Sequence, residues 1–268
     1  MKDLRILFPT VLGVALLLVL VSSPALAAPF SNSLWIGNDT NSGFPILNTD
    51  TSGNLLRFGP AGSGVGFAVD LAANELFVND AFSSATVYNL TTLAPITTVP
   101  FIGGSIASED LSFDGTNLIV GDFSGQRIDL LNPVTGALVS GFSVGYSPLG
   151  LSTDGSGGFW VSEFSSDGMV HHYDSNGNLL LSFQAYNGFA GGIGLDTRDG
   201  TLYIGTFGSV GHFTTAGMEI GSFSTGDGRF VDGLEFEPGT SVPEPASLVL
   251  LSTGLLTLGR RGWKLMRK

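Results

Sequence analysis

Leu118-Ile119-Val120-Gly121-Asp122, LIVGD, is a short apolar run closed by a carboxylate. Alone it reads as one brief buried strand bounded by a turn. Its form recurs along the chain. LWIGN ends at Asn38, LFVND at Asp80, FWVSE at Glu163 and LYIGT at Thr206, so the closing residues lie 42, 42, 41 and 43 positions apart. A second set of strand-like stretches, FAVD, LSFD, LSTD, IGLD and LEFE, ends at Asp70, Asp114, Asp154, Asp196 and Glu237, spaced 44, 40, 42 and 41. A third series pairs a glycine with a phenylalanine six residues on: Gly136 with Phe142, Gly177 with Phe183, Gly217 with Phe223, and a shorter Gly53 with Phe58.

Each unit reads as four short strands. In one of them LGLSTD is the first, GFWVSE the second and MVHHYD the third; the DSNGN turn then reverses the chain into LLLSF. Asp-Gly, Asn-Gly and Gly-Gly pairs between strands are tight-turn chemistry. A four-stranded unit of this length cannot bury both of its faces alone, and stacking such units around an axis makes a β-propeller. The series is offset at its ends: the first unit starts at its second strand, LWIGN, and a lone first strand near Leu234–Phe236 closes the last. Pairing that C-terminal strand with the N-terminal strands closes the ring and removes sheet edges. The fold class expected is therefore all-β, a five-bladed β-propeller within residues 28–240. The pattern resembles the NHL, lactonase-like and streptogramin-lyase-like propeller superfamily, a likeness of architecture that implies the fold and no particular reaction.

The chain has 268 residues, 39 Gly, 20 Phe and no Cys. The absence of Cys excludes thiol catalysis, disulfide exchange and Cys-based zinc sites. Charge is distributed unevenly. Residues 28–242 hold four Arg, no Lys and 21 Asp and Glu, a net charge of −17 against −12 for the whole chain. Such a surface repels nucleic acid and anionic lipid and favours cations or basic partners.

The N-terminus reads as a secretory signal peptide, residues 1–27. Lys2 and Arg5 precede an apolar run from Ile6 to Val21, and Ala25-Leu26-Ala27 supplies the small-x-small site for signal peptidase. The C-terminal segment, residues 241–268, has three parts in order: Val242-Pro243-Glu244-Pro245, an apolar run from Ala246 to Leu258, and the basic residues Arg260, Arg261, Lys264, Arg267 and Lys268. A single transmembrane helix over about residues 246–262 is a marginal span, since about 20 apolar residues cross a bilayer comfortably. The basic cluster would hold its end in the cytoplasm. A GPI signal has similar parts but ends apolar. These three parts resemble the PEP-CTERM sorting signal. The resemblance implies recognition by an exosortase, a membrane-embedded protease of Gram-negative, exopolysaccharide-producing bacteria. It further implies processing near the Pro-Glu-Pro and delivery to the cell surface or extracellular matrix.

Strands one and two of a blade run antiparallel, so Asn38, Asp80, Asp122, Glu163 and Thr206 are expected on one face, joined by Glu109, Asp110 and Asp232. Carboxylates converging there offer oxygen ligands suited to Ca²⁺. The candidate metal ligands are Asp80, Asp122 and Glu163, and related lactonase-like propellers hold a central metal with acidic and amide ligands. A repeat also explains the periodicity with no cofactor at all. Asp70, Asp114, Asp154, Asp196 and Glu237 fall on the opposite face as turn formers. His171 and His172 point to opposite faces of one strand and cannot share an ion. No catalytic residue stands out, and no serine elbow accompanies the histidines. Two functions remain open. One is a binding or structural propeller at the cell surface, holding exopolysaccharide or surface proteins. The other is a metal-dependent extracytoplasmic hydrolase, lyase or lactonase.

Overall fold

The structure, a computed structural model, describes residues 32–38, 45–60, 64–79, 82–104, 107–226 and 228–237. The signal peptide with Ala25 and Ala27, Asp80, the Val242–Pro245 motif and the basic cluster Arg260, Arg261, Lys264, Arg267 and Lys268 lie outside the described residues. Among the described residues no helix is long and apolar enough to cross a membrane.

Twenty strands form five antiparallel sheets of four among the described residues. Four sheets are simple meanders: β4 (Gly66–Asp70) to β7 (Pro95–Pro100), β8 (Ser108–Phe113) to β11 (Leu138–Ser143), β12 (Pro148–Thr153) to β15 (Leu179–Gln184), and β16 (Ile193–Asp196) to β19 (Glu219–Ser224). The remaining sheet has the order β20-β1-β2-β3. In it β20 (Val231–Glu237) pairs antiparallel with β1 (Ser33–Asn38), followed by β2 (Leu47–Asp50) and β3 (Leu55–Phe58). The C-terminal strand thus completes the N-terminal blade, as the offset of the two repeat series requires. The five repeated second strands are β1, β5 (Glu75–Asn79), β9 (Leu118–Asp122), β13 (Phe159–Glu163) and β17 (Thr201–Thr206). The first strands β20, β4, β8, β12 and β16 touch one another in a ring about the axis.

Burial follows this geometry. The inner strand β20 is buried throughout, whereas the outer strands β7, β11, β15 and β19 are mostly exposed. Five apolar clusters fill the seams between neighbouring blades. Phe77, Leu111 and Val120 share one; Ile128, Leu151 and Phe159 another; Trp160, Ile193 and Phe213 a third. Leu34, Tyr203 and Leu234 form the fourth, and Trp35, Phe67 and Leu76 the fifth. Phe30–Ser241 is one compact unit containing every one of these sheets and seams, so it has its own complete core, as a domain able to fold alone requires.

The glycine-phenylalanine series has a physical cause at these seams. Gly177, in the hairpin turn before β15, has φ +79°, and a β-carbon there would lie 2.6 Å from the Phe142 ring of the preceding blade. The turn needs a left-handed residue, and the neighbouring blade's phenylalanine needs a residue with no side chain. The same contact recurs between Gly217 and Phe183 and between Gly53 and Phe223. The repeat therefore records contact between blades as well as the build of one blade. The turn itself is pinned by Asp174, whose carboxylate accepts the N–H groups of Asn176 and Asn178, both at 2.9 Å. This is a hairpin cap and accounts for the DSNGN motif.

Asp70, Asp114 and Asp154 cap turns in the same way, accepting backbone N–H groups two to four residues ahead. Burial pushes the Asp154 carboxyl up, but hydrogen bonds from His172, Ser156 and Gly158 outweigh it and hold Asp154 below the usual carboxylate range. Glu237 departs from the turn-former reading. It is buried, accepts the Trp35 indole N–H at 2.9 Å and the Ser33 hydroxyl at 3.1 Å, and lies 3.7 Å from the Arg57 guanidinium. It fastens β20 to the blade it completes.

Candidate functional site on the two ends of the propeller axis

Strands β9 and β13 end on the face where β8 and β12 begin, because Asp122 pairs with Ser108 and Glu163 with Pro148. The sequence places an acidic ring on this face. The structure gives its members local partners. Asp122 is buried and accepts the Gly125 N–H at 2.9 Å, closing the turn into β10 (Arg127–Leu131). Glu163 lies 3.2 Å from His171 Nε2, and His171 Nδ1 contacts the Ser182 hydroxyl at 2.8 Å. Thr206 donates its hydroxyl to the Phe189 carbonyl. Among the described residues no group of three His, Cys, Asp or Glu is placed to hold a metal ion. Asp80, the third candidate ligand, lies outside them.

Asp110 is not at the rim. The register of β8 against β9 shifts between Ser108 and Leu111, and this bulge turns the Asp110 side chain into the axis. There it is fully buried and accepts backbone N–H groups from Leu111 at 2.9 Å, Leu151 at 3.0 Å and Phe67 at 3.3 Å, with Ile193 also donating. One carboxyl thereby ties the inner strands β4, β8, β12 and β16. Burial drives its pKa well above the usual carboxylate range, against the pull of those four N–H groups. The inner strands meet backbone to backbone here. A β-carbon on Gly66 would lie 2.6 Å from the Asp110 Cα, which accounts for a glycine at the entrance to β4.

The face also carries a feature the acidic pattern did not announce. Phenylalanine follows the second strand in four units, as Phe82, Phe123, Phe164 and Phe207, spaced 41, 41 and 43. Five rings form a continuous arc across neighbouring blades. Phe123 meets Phe164 at 5.2 Å, Phe164 meets Phe189 at 5.2 Å, Phe189 meets Phe230 at 6.4 Å, and Phe230 meets Phe207 at 4.8 Å. These separations are those of interacting aromatic pairs. Two of the five rings are exposed, Phe207 at 62% and Phe164 at 50%, and Phe123, Phe189 and Phe230 are half-buried. A connected apolar surface with carboxylates beside it is the mark of a binding face. The 42-residue period that revealed the acidic positions would have revealed these rings one or two residues further along.

The histidines belong to the blades. His172 stacks on Trp160 at 4.1 Å and contacts Asp154 at 2.9 Å; His212 stacks on Tyr203 at 4.4 Å and contacts Thr201 at 2.8 Å. His171 lies against Tyr146 at 4.8 Å. Burial raises the Tyr146 phenol far above its ordinary pKa, helped by its hydrogen bond with Tyr173, so it stays neutral.

Residues 241–267 match the family model described as the PEP-CTERM protein-sorting motif. No curated protein matches the chain. Among solved structures, one titled "Crystal structure of Nidogen/Laminin Complex" is similar, with a TM-score of 0.56 and 14% identity over 79% of this chain and 99% of that one. Another, "Kuenenia stuttgartiensis Hydrazine Synthase", has a TM-score of 0.45 and 15% identity over 63% of this chain and 49% of that one, a score too low to bear on the fold. At such identities the likeness shows architecture alone. The sorting motif implies export, membrane-associated sorting and processing by exosortase, a membrane protein. The chain is a five-bladed β-propeller that carries a PEP-CTERM protein-sorting motif at its C-terminal end.

Proposed function

We propose that the exported propeller is a non-enzymatic binding protein of the cell surface or extracellular matrix, and that its phenylalanine arc holds exopolysaccharide. The observation that carries this reading is the run of five neighbouring rings on one face, two exposed and three half-buried. A pyranose has an apolar C–H face that packs on an aromatic ring, and a row of rings suits a chain of sugars better than a single solute. Glu163, partly exposed beside Phe164, can accept sugar hydroxyls. The net charge of −17 over residues 28–242 favours a neutral or amine-bearing polysaccharide over an acidic one. Release of the C-terminal segment by exosortase, after signal peptidase has acted at Ala27, would free the propeller into the matrix of a Gram-negative host.

Retention of residues 28–240 in a gel containing the producing cells' own polysaccharide tests this. The Phe164→Ala/Phe207→Ala double variant is expected to lose about tenfold or more in affinity, since each aromatic contact at a binding face carries about 1 kcal/mol. Both rings are exposed, so the fold should be unaffected. Equal retention of the double variant would defeat the reading. Stoichiometric Ca²⁺ surviving chelator-free purification, and lost with Asp122→Ala, would shift it to a metal-bridged or metal-dependent function.

A further inference from the structure

At the opposite end of the axis the first strands finish around a pocket of about 340 Å³, to which all five blades contribute. This is within the size range of small-molecule sites. Val69, Leu71, Phe113, Leu195 and Phe236 give it apolar walls. Glu235, on β20, lines it while only 8% exposed. The side chain's hydrogen bond to protein is a 3.4 Å contact from the Ser112 hydroxyl, long for an O–H···O bond. Ser112 in turn accepts the Thr153 N–H at 3.1 Å, so its position is fixed from the next blade.

The charges around this carboxyl do not neutralise it. Asp70 and Asp114 lie at the pocket's rim, and among the described residues no Lys, Arg or His lines it. Arg198 sits over the Phe236 ring at 5.3 Å, where it is engaged with Asp196. Burial, with the nearby Asp110 charge adding to it, pushes the Glu235 pKa well above the usual carboxylate range. A buried carboxyl with one long hydrogen bond is costly unless something pairs with it.

We propose that this pocket is a binding site for a small organic cation, an ammonium group carried on an apolar body, with Glu235 as its counter-charge. The apolar walls receive the body, the phenylalanine rings favour a cation beside them, and the acidic rim concentrates cations at the mouth. This site is separate from the phenylalanine arc, so its failure and the failure of the polysaccharide reading are distinguishable.

Calorimetric titration of residues 28–240 with benzylammonium chloride tests the assignment. One equivalent is expected to bind, and benzyl alcohol, the neutral counterpart, should bind about tenfold more weakly or not at all. Glu235→Gln keeps the shape and removes the charge, and should weaken the ammonium about tenfold or more. Should that variant fold poorly, Ala72→Trp at the exposed rim is the second test and should also block binding. Equal binding of the alcohol, unchanged binding by Glu235→Gln, no heat of binding with benzylammonium, or displacement of it by Ca²⁺ at lower concentration would each overturn the proposal.

Discussion

Asp110→Ala is expected to destabilise the propeller by about 3–5 kcal/mol, which for a domain of this size lowers the melting temperature by roughly 10 °C. The carboxyl accepts N–H groups from four of the five inner strands. Removing it orphans these buried donors, each worth about 1–3 kcal/mol when left unpaired. The substitution also relieves a buried acidic group, but that gain is one term set against several lost partners. Asp110→Asn keeps an acceptor and should cost less. Denaturant unfolding of the three proteins measures the difference, and a loss below about 1 kcal/mol for Asp110→Ala would show that the axis is held by packing alone.

The same carboxyls set an unusual pH dependence. The pKa values of Asp110, Glu235 and Glu237 are raised in the folded protein, in each case chiefly by burial. The folded state therefore binds more protons than the unfolded chain once pH exceeds their unfolded values of about 4. Their favourable contribution is fully present below that pH and is lost as pH rises through the folded values. Asp50 and Asp154 act oppositely. Hydrogen bonds hold both below the usual range despite some burial, and the stability they add disappears as pH falls below about 4. The melting temperature is expected to rise on acidification from pH 8 and to peak near about pH 5. Glu235→Gln should flatten the rising limb.

A chain ending at Gly228 is expected not to fold. It lacks β20, and with it Val231, Leu234 and Phe236, all buried in or beside the seam with β17. Each fully buried apolar side chain of this kind contributes about 1.5–3 kcal/mol. Together with the Trp35–Glu237–Ser33 hydrogen bonds and a newly opened edge on β1, the loss matches the entire stability of a typical domain, about 5–15 kcal/mol. The defect lies in closure, so a peptide of residues 229–240 added in trans should restore the sheet signal in circular dichroism. Cooperative unfolding of the truncated chain at an unchanged midpoint would mean that β20 is dispensable and the ring is held elsewhere.

The fold was legible because a blade leaves two marks at once. Short apolar runs between tight-turn residues announce strands, and the 42-residue period announces the number of blades. The offset of LWIGN against LEFE even located the closure between β1 and β20. What happens at the axis was less legible. Asp110 follows Glu109 at a strand start and reads as a rim residue; only the bulge in β8 sends it inward, and a bulge leaves no trace in residue type. Glu235 sits in an ordinary strand alternation, and its burial comes from four other blades that local sequence does not see. Glu237 looked like a turn former because it shares a repeat position with aspartates, yet a longer side chain there reaches Trp35. The phenylalanine arc was readable in principle. The rings directly follow the charged strand ends, which dominate the pattern.

Intact-mass measurement of the protein from the surface and matrix fraction of producing cells tests the central claim, that this is a propeller delivered outside the cell and parted from its address. The account predicts a chain that starts after Ala27 and ends near Val242–Pro245, keeping all five blades and losing the basic cluster. Recovery of the chain with residues 246–268 still attached, from cells that contain the exosortase, would contradict it.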